Sequence, residues 1–255
     1  MFKANHMLPM IDRRAVLFGS AALGLMATAT AANAAPRTDV EIKDDWPWIA
    51  RYAEENQQIL SSNAPVHIVF MGDSITENWK KRDPTFFREG WICRGISGQT
   101  SSQMVLRMAS DVVALKPKLV HVMAGTNDIA GNTGPMTIEM TMANVRGMAA
   151  IAKDADIAVV VGSVLPATSF NWRPDVRPAK KIIELNSLLK SFAQENKHGW
   201  IDYHATLDDG SGGPSGGFTN DGVHPVLAGY KVMEELAVPK ILQMLKKTSR
   251  RSRKI

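Results

Sequence analysis

The 255-residue chain contains a single cysteine, Cys93, so no internal disulfide can form even in an oxidising compartment. Cys93 sits in an apolar run and reads as a small buried hydrophobe rather than a nucleophile. No internal repeat or low-complexity domain is present. No His/Cys/Asp/Glu cluster has metal-ligand spacing either: Asp202 and His204 stand close together, but no further ligand lies at a suitable distance along the chain. A basic folded surface is also lacking, despite the formal charge of +5. The first 34 residues carry +2 and the last ten +6, leaving −3 for residues 35–245. The high pI is thus no argument for a nucleic-acid partner.

The two charged ends have their own readings. Asp12-Arg13-Arg14 precedes an Ala/Gly-rich apolar run from Ala15 to Ala32, followed by Ala32-Asn33-Ala34. A charged start, an apolar stretch and a small-x-small site form the layout of a signal peptide over residues 1–34, and the paired arginines resemble a twin-arginine export signal. A retained anchor is the competing reading. The run is weakly hydrophobic for a span of about 20 residues, and no cysteine follows to carry lipid. The expectation is cleavage, export to a bacterial periplasm or beyond, and no stable membrane anchor afterwards. Residues 246–255 read as a solvated, disordered basic tail.

Between the ends, residues 35–245 suit one α/β domain. Apolar runs rich in β-branched residues, Val66–Met71, Trp91–Ile96, Leu119–Ala124 and Ile157–Val161, read as buried parallel strands, with Trp200–Tyr203 as a short last one. Helical patterns fall at Trp46–Leu60, Val105–Leu115, Met136–Ala152, Ala179–Glu195 and Val226–Leu245. Strands alternate with helices, which predicts a three-layer α/β/α sandwich around a central parallel sheet of about five strands.

In such sheets ligands bind outside the carboxyl ends of the strands. Ser74, Gly98 and Asn127 each follow a different strand at that end. Acyl transfer needs a nucleophile, a base, a group to orient the base, and donors for an oxyanion. Ser74 supplies a hydroxyl just after Gly72-Asp73. His224, in the loop before the last helix, can reach over the sheet edge as base, and Asp221 stands three residues earlier to hold its imidazole. Gly98 offers a backbone amide with no side chain in the way, and Asn127 a side-chain NH₂. Taken singly, each is more often a cap, a turn residue or a surface histidine; the combination carries the signal.

Gly72-Asp73-Ser74, Gly95-Ile96-Ser97-Gly98, Gly125-Thr126-Asn127-Asp128 and Asp221-Gly222-Val223-His224 resemble, in order and spacing, the four sequence blocks of the GDSL, or SGNH, hydrolase family. The nearest resemblance is to its compact bacterial branch of lysophospholipase-like and acetylhydrolase-like members, and it spans residues 64 to 245. The resemblance implies a flavodoxin-like α/β/α fold and an esterase needing neither metal nor cofactor. It also implies Ser74 as nucleophile, His224 as base, Asp221 as its partner, and an oxyanion hole from the amides of Ser74 and Gly98 with the Asn127 side chain.

Two features compete for the role of site. Gly213-Pro214-Ser215-Gly216-Gly217 fits the G-x-S-x-G pattern, but lies in a Gly-rich loop rather than between a strand and a helix. His121, inside an apolar strand, reads as a hydrogen-bonded buried histidine. For substrate, the loops after the third and fourth strands nominate Ile129, Phe170, Asn171, Trp172 and Arg173 as pocket walls. No long apolar lid is apparent, which favours a small-molecule or carbohydrate-borne acyl ester, acetyl above all. Three functions stay open: a hydrolase of short-chain esters, an O-acyltransferase to a cell-envelope glycan using the same residues, and a carbohydrate-binding protein without activity. The sequence leaves oligomeric state open.

Overall fold

The computed structural model describes residues 44–252, with side chains through residue 248. The predicted leader and its cleavage site lie outside the described residues. After a turn of 3₁₀ helix at Ile49–Tyr52 come α1 (Ala53–Ser62), β1 (Ile68–Gly72), α2 (Ser74–Arg82), β2 (Trp91–Gly95) and α3 (Ser101–Asp111). The chain continues through β3 (Leu119–Val122), α4 (Thr126–Ala130), α5 (Ile138–Asp154), β4 (Ala158–Gly162), α6 (Ala179–Glu195), β5 (Gly199–Ile201), α7 (Tyr203–Leu207) and α8 (Leu227–Ser252).

The five strands form one sheet in the order β2-β1-β3-β4-β5, every pair parallel. Alternate side chains of a strand point to opposite faces, and here both faces are covered. Val69, Met71, Val120, Val122, Val159 and Val161 pack with Met104, Met108, Val145, Met148, Leu185 and Leu189 from α3, α5 and α6. Ile68, Phe70, Leu119 and Val160 pack with Trp79 of α2 and with Tyr230, Met233 and Ile241 of α8. Each large side chain so buried contributes on the order of 2 kcal/mol, and the near-continuous apolar strands follow from burial on both sides. The three-layer α/β/α sandwich predicted from sequence is the fold observed.

Chain order reverses between β1 and β3, because β1 leads outward to β2 and β3 leads the other way to β4. That switch opens a crevice at the strands' carboxyl ends. Gly72 and Gly95 stand opposite each other there. A Cβ on Gly95 would lie 2.3 Å from the Glu77 amide and 2.8 Å from the Asp73 carbonyl, so glycine lets the start of α2 sit directly on the sheet edge.

Some details differ from the sequence expectation. Two five-residue helices, α4 and α7, stand where loops and strand were predicted. Asp202 and Tyr203 leave β5 because the Asp202 carboxylate caps α7, accepting from Ala205 N–H at 3.1 Å. The last helix continues to Ser252, so residues 246–252 of the expected disordered tail are helical. Extending an existing helix costs little once nucleated, and lysines and arginines are good helix formers that suit the negative end of the helix dipole.

Candidate active site

Ser74 is the first residue of α2, directly after β1. Asp73 caps the helix, its carboxylate accepting from Ile75 N–H at 2.9 Å, which fixes where Ser74 leaves the sheet edge. From the other end of the chain, the loop before α8 is closed at its base by Val226 N–H donating to Phe218 O at 2.8 Å. Within it Asp221 Oδ1 accepts from the amides of Val223 (3.0 Å) and His224 (2.8 Å). The same carboxylate's Oδ2 lies 2.7 Å from His224 Nδ1, and His224 Nε2 lies 2.9 Å from Ser74 Oγ. An ionised carboxylate only accepts, so the imidazole proton belongs on Nδ1, leaving Nε2 to accept from the Ser74 hydroxyl. Burial works to raise the Asp221 pKa, but the His224 ring and the two amides outweigh it and hold the carboxyl below its ordinary value.

Gly98 lies at the third position of a turn closed by Gln99 N–H to Ile96 O, with φ +79°. That backbone conformation favours glycine, while the space around it is open, the nearest atom to a Cβ being Asn132 Nδ2 at 4.0 Å. The turn is anchored by Glu77 of α2, which accepts from Ser97 N–H (2.8 Å) and Ser97 Oγ (2.5 Å). Among the described residues, neither Ser74 N–H nor Gly98 N–H donates to a protein acceptor.

Asn127 is on α4, and its NH₂ is already occupied: it donates to Gln99 O at 3.0 Å and, with a longer 3.3 Å contact, to Asp73 Oδ2. Its neighbour Asp128 is buried and accepts from the Ser101 amide (3.0 Å), the Ser101 hydroxyl and Thr141 Oγ1 (3.1 Å), tying α4 to α3 and α5. Burial raises the pKa of Asp128 despite those donors. Asp73 is pushed up to about 6 by burial, against the opposing pull of the Ile75 amide and His224.

Of the five predicted pocket residues, the structure brings two to the rim beside His224 and Asp221. Trp172 is 39% exposed, with its ring centroid 6.0 Å from that of His224. Asn171 reaches toward the Asp221 carbonyl at 3.5 Å. Phe170 is a correction: it is fully buried and stacks beneath Trp172 at 4.9 Å, so it supports the wall without lining it. Arg173 is another, because its guanidinium donates to Ala130 O at 2.5 Å and faces Asp175, bracing the loop after α4. Ile129 belongs to the core, its remaining edge opening on a cleft of about 300 Å³ with Met136, Thr137, Lys181 and Glu184. None of Ser74, Asp221 or His224 lines that cleft.

Ser215 is tied to the end of α7, its amide donating to Leu207 O at 2.7 Å, and it follows a Gly-rich loop rather than a strand. His121 is buried with Nε2 3.0 Å from the Tyr203 hydroxyl. Among the described residues, no three His, Cys, Asp or Glu side chains are grouped to hold a metal ion. Sequence reasoning missed Asn132, which lies at the centre of the rim. The only signal was its place in Gly131-Asn132-Thr133-Gly134, a turn whose two glycines have positive φ.

A model of the GDSL-like lipase/acylhydrolase family matches residues 70–232. A solved structure from Bacteroides thetaiotaomicron, described as a GDSL-like lipase, is 41% identical, with 79% of this chain and 98% of that one covered and a TM-score of 0.73. A candidate acylhydrolase from Bacteroides fragilis is also 41% identical, covering 78% and 98%, at a TM-score of 0.74. An acetylxylan esterase from Geobacillus stearothermophilus shares the fold at 19% identity, covering 70% and 94%, with a TM-score of 0.57. A comparison with curated proteins gave no match.

Proposed function

The chain belongs to the GDSL-like lipase/acylhydrolase family, and on that premise we propose that Ser74, His224 and Asp221 act as a catalytic triad hydrolysing short acyl esters borne by carbohydrate. The observation that carries this reading is the unbroken line Ser74 Oγ–His224 Nε2 at 2.9 Å and His224 Nδ1–Asp221 Oδ2 at 2.7 Å.

A serine hydroxyl is a weak nucleophile near neutral pH. As Ser74 Oγ attacks the acyl carbon, its proton passes to His224 Nε2, and Asp221 stabilises the imidazolium. The carbonyl oxygen becomes an oxyanion between Ser74 N–H, Gly98 N–H and the Asn127 NH₂. Asn127 keeps one hydrogen on Gln99 O, and the other, held only by the long Asp73 contact, is the one free to be shared with the new charge without the amide turning. The imidazolium then protonates the leaving alcohol, whose C–O bond breaks to give acyl-Ser74. Water, deprotonated by the same nitrogen, then attacks the acyl carbon; the imidazolium returns that proton to Ser74 Oγ as the acyl–Oγ bond breaks, releasing the acid and restoring the free serine.

Trp172 supports the choice of alcohol. Its exposed indole rests on buried Phe170 beside His224, an apolar face of the kind that packs against a sugar ring. Its neighbours Asn132 and Asn171 are polar, so the rim suits hydroxyl-bearing alcohols better than a long acyl tail.

The test is a panel of p-nitrophenyl esters of increasing chain length and of acetylated sugars, with and without a glycan acceptor. kcat/KM is expected to be highest for acetyl and to drop with each longer acyl chain, with free acid as the product even when acceptor is present. Ser74→Ala and His224→Ala should each lower kcat by about 10³–10⁶-fold, and the double variant little more, because the residues act as a unit. Asp221→Ala should cost less. A serine-directed phosphonate should label Ser74. Labelling at Ser215, full activity in Ser74→Ala, or a preference for the longest acyl chain would each overturn the corresponding part.

A further inference from the structure

Asn132 lies outside the triad and outside the expected oxyanion donors, yet its side-chain amide touches two of those donors and the substrate-facing indole. Nδ2 donates to Asn127 Oδ1 at 2.7 Å and to Gly98 O at 3.1 Å. Oδ1 accepts from Trp172 Nε1 at 3.0 Å. Both hydrogens and the oxygen are in use, and the opposite amide orientation would set oxygen against two oxygens and NH₂ against an N–H. The orientation is therefore fixed by its partners.

The backbone beneath is equally constrained. Asn132 N–H donates to Asn127 O at 3.0 Å, and Gly134 N–H to Gly131 O at 3.1 Å. Gly131, at φ +70°, sits under the Arg173 guanidinium, which would be 3.2 Å from a Cβ there, and Arg173 also holds the Ala130 carbonyl. Thr133 and Thr100 meet through their hydroxyls at 3.1 Å, joining this turn to the start of α3. The turn is a rigid mount presenting one amide to three functional groups.

We propose that Asn132 is a positioning residue that fixes Asn127 and Gly98 as oxyanion donors and ties them to the indole of Trp172. By drawing Asn127 Oδ1 outward it keeps that residue's NH₂ turned inward, toward Gln99 O and the space beside Asp73. By gripping the Gly98 carbonyl it steadies a glycine whose surroundings offer no packing, so the neighbouring N–H keeps its aim. By accepting from Trp172 it sets the platform in register with both. Removing the amide leaves Ser74, His224 and Asp221 in contact but lets the donors wander, and donors out of place by fractions of an ångström lose transition-state stabilisation rather than substrate binding.

This inference rests on the esterase reading of Ser74, and the experiment separates the two. Steady-state kinetics on p-nitrophenyl acetate, inhibition by methylboronic acid (which forms an anionic tetrahedral adduct on an active serine) and thermal melting are compared for wild type, Ser74→Ala, Asn132→Ala, Asn132→Asp, Trp172→Phe and the Asn132→Ala/Trp172→Phe pair. Asn132→Ala should lower kcat by about 10–100-fold with KM within about threefold, and weaken the boronate by a similar factor to kcat/KM. Asn132→Asp, which keeps the acceptor for Trp172 but turns oxygen toward Gly98 O and Asn127 Oδ1, should lose at least as much, and it serves as the readout if the alanine variant fails to fold. Trp172→Phe keeps the ring and loses the N–H; its defect in kcat should vanish on the Asn132→Ala background. Wild-type kcat in both Asn132 variants, a change confined to KM, or an unaltered boronate affinity would overturn the role of Asn132 while an inactive Ser74→Ala keeps the esterase reading. Full activity in Ser74→Ala would remove that reading itself.

Discussion

Asp73 shows what it costs to bury a carboxylate at the turn from β1 into α2. Its two oxygens cap α2 and meet the Asn127 amide, and it is almost entirely buried. Burial lifts its pKa from 3.8 to about 6. The sign follows from proton counting. Between pH 3.8 and 6 the unfolded chain has released this proton and the folded chain still holds it, so stability falls as pH rises through that window. Above it the loss is constant at about 3 kcal/mol. Asp73→Asn keeps an oxygen for the Ile75 amide and removes the charge, though it sets an NH₂ toward that of Asn127. The melting temperature of the variant minus that of wild type is therefore expected to become more positive from pH 4 to pH 7, measured by fluorimetry at each pH. A difference independent of pH would show that Asp73 is not the titrating group.

At the scale of elements, the site is assembled from turns that helices hold from behind. Glu77, one turn into α2, grips Ser97 through both amide and hydroxyl, and burial of Glu77 is outweighed by those bonds and by Lys81, so its carboxyl stays below its ordinary pKa. Glu77→Ala should release the Gly98 turn, lowering stability in urea unfolding by about 1–3 kcal/mol and kcat by about 5–10-fold with KM little changed. A stability loss with kcat intact would mean that Asn132 holds Gly98 unaided. Much of this architecture was legible in the sequence. The strand runs are buried on both faces and announce themselves by composition, and α6 begins and ends where its pattern does. Ser74, Gly98 and Asn127 could be selected because each follows a strand whose end was readable, and Asp221 and His224 because they stand just ahead of a helix whose start was readable. The five-residue helices α4 and α7 were not, since a single turn is too short to display a period. Phe170 and Trp172 are aromatics two positions apart in one loop, and nothing in their identities says that the first is buried and the second half-exposed. Asn132 went unnoticed because its importance lies in three partners from three separate segments.

For the whole molecule, His121 sets an opposing dependence on acid. It lies in the core against Phe70 and the Tyr203 hydroxyl, and burial lowers its pKa to about 3. The unfolded chain binds a proton near pH 6.5 that the folded chain refuses until about pH 3, so stability drains away as pH falls through that window, by up to about 1.4 kcal/mol per pH unit. His121→Gln can still meet the Tyr203 hydroxyl and carries no such proton. Its melting temperature relative to wild type should rise between pH 7 and pH 4, the reverse of the trend for Asp73→Asn; a flat difference would locate the acid sensitivity elsewhere.

The pairing of His224 with Asp221 is settled within a four-residue turn, by one carboxylate holding two amides and a ring. Ring and carboxylate are so close in sequence that bringing them together carries little loop-closure entropy. Only the meeting with Ser74, 150 residues away in sequence, waits for the sheet and α8 to close. Assembly has one long-range distance to get right, and a change in the loop connecting that turn to the rest of the chain shifts the pair as a unit instead of breaking it.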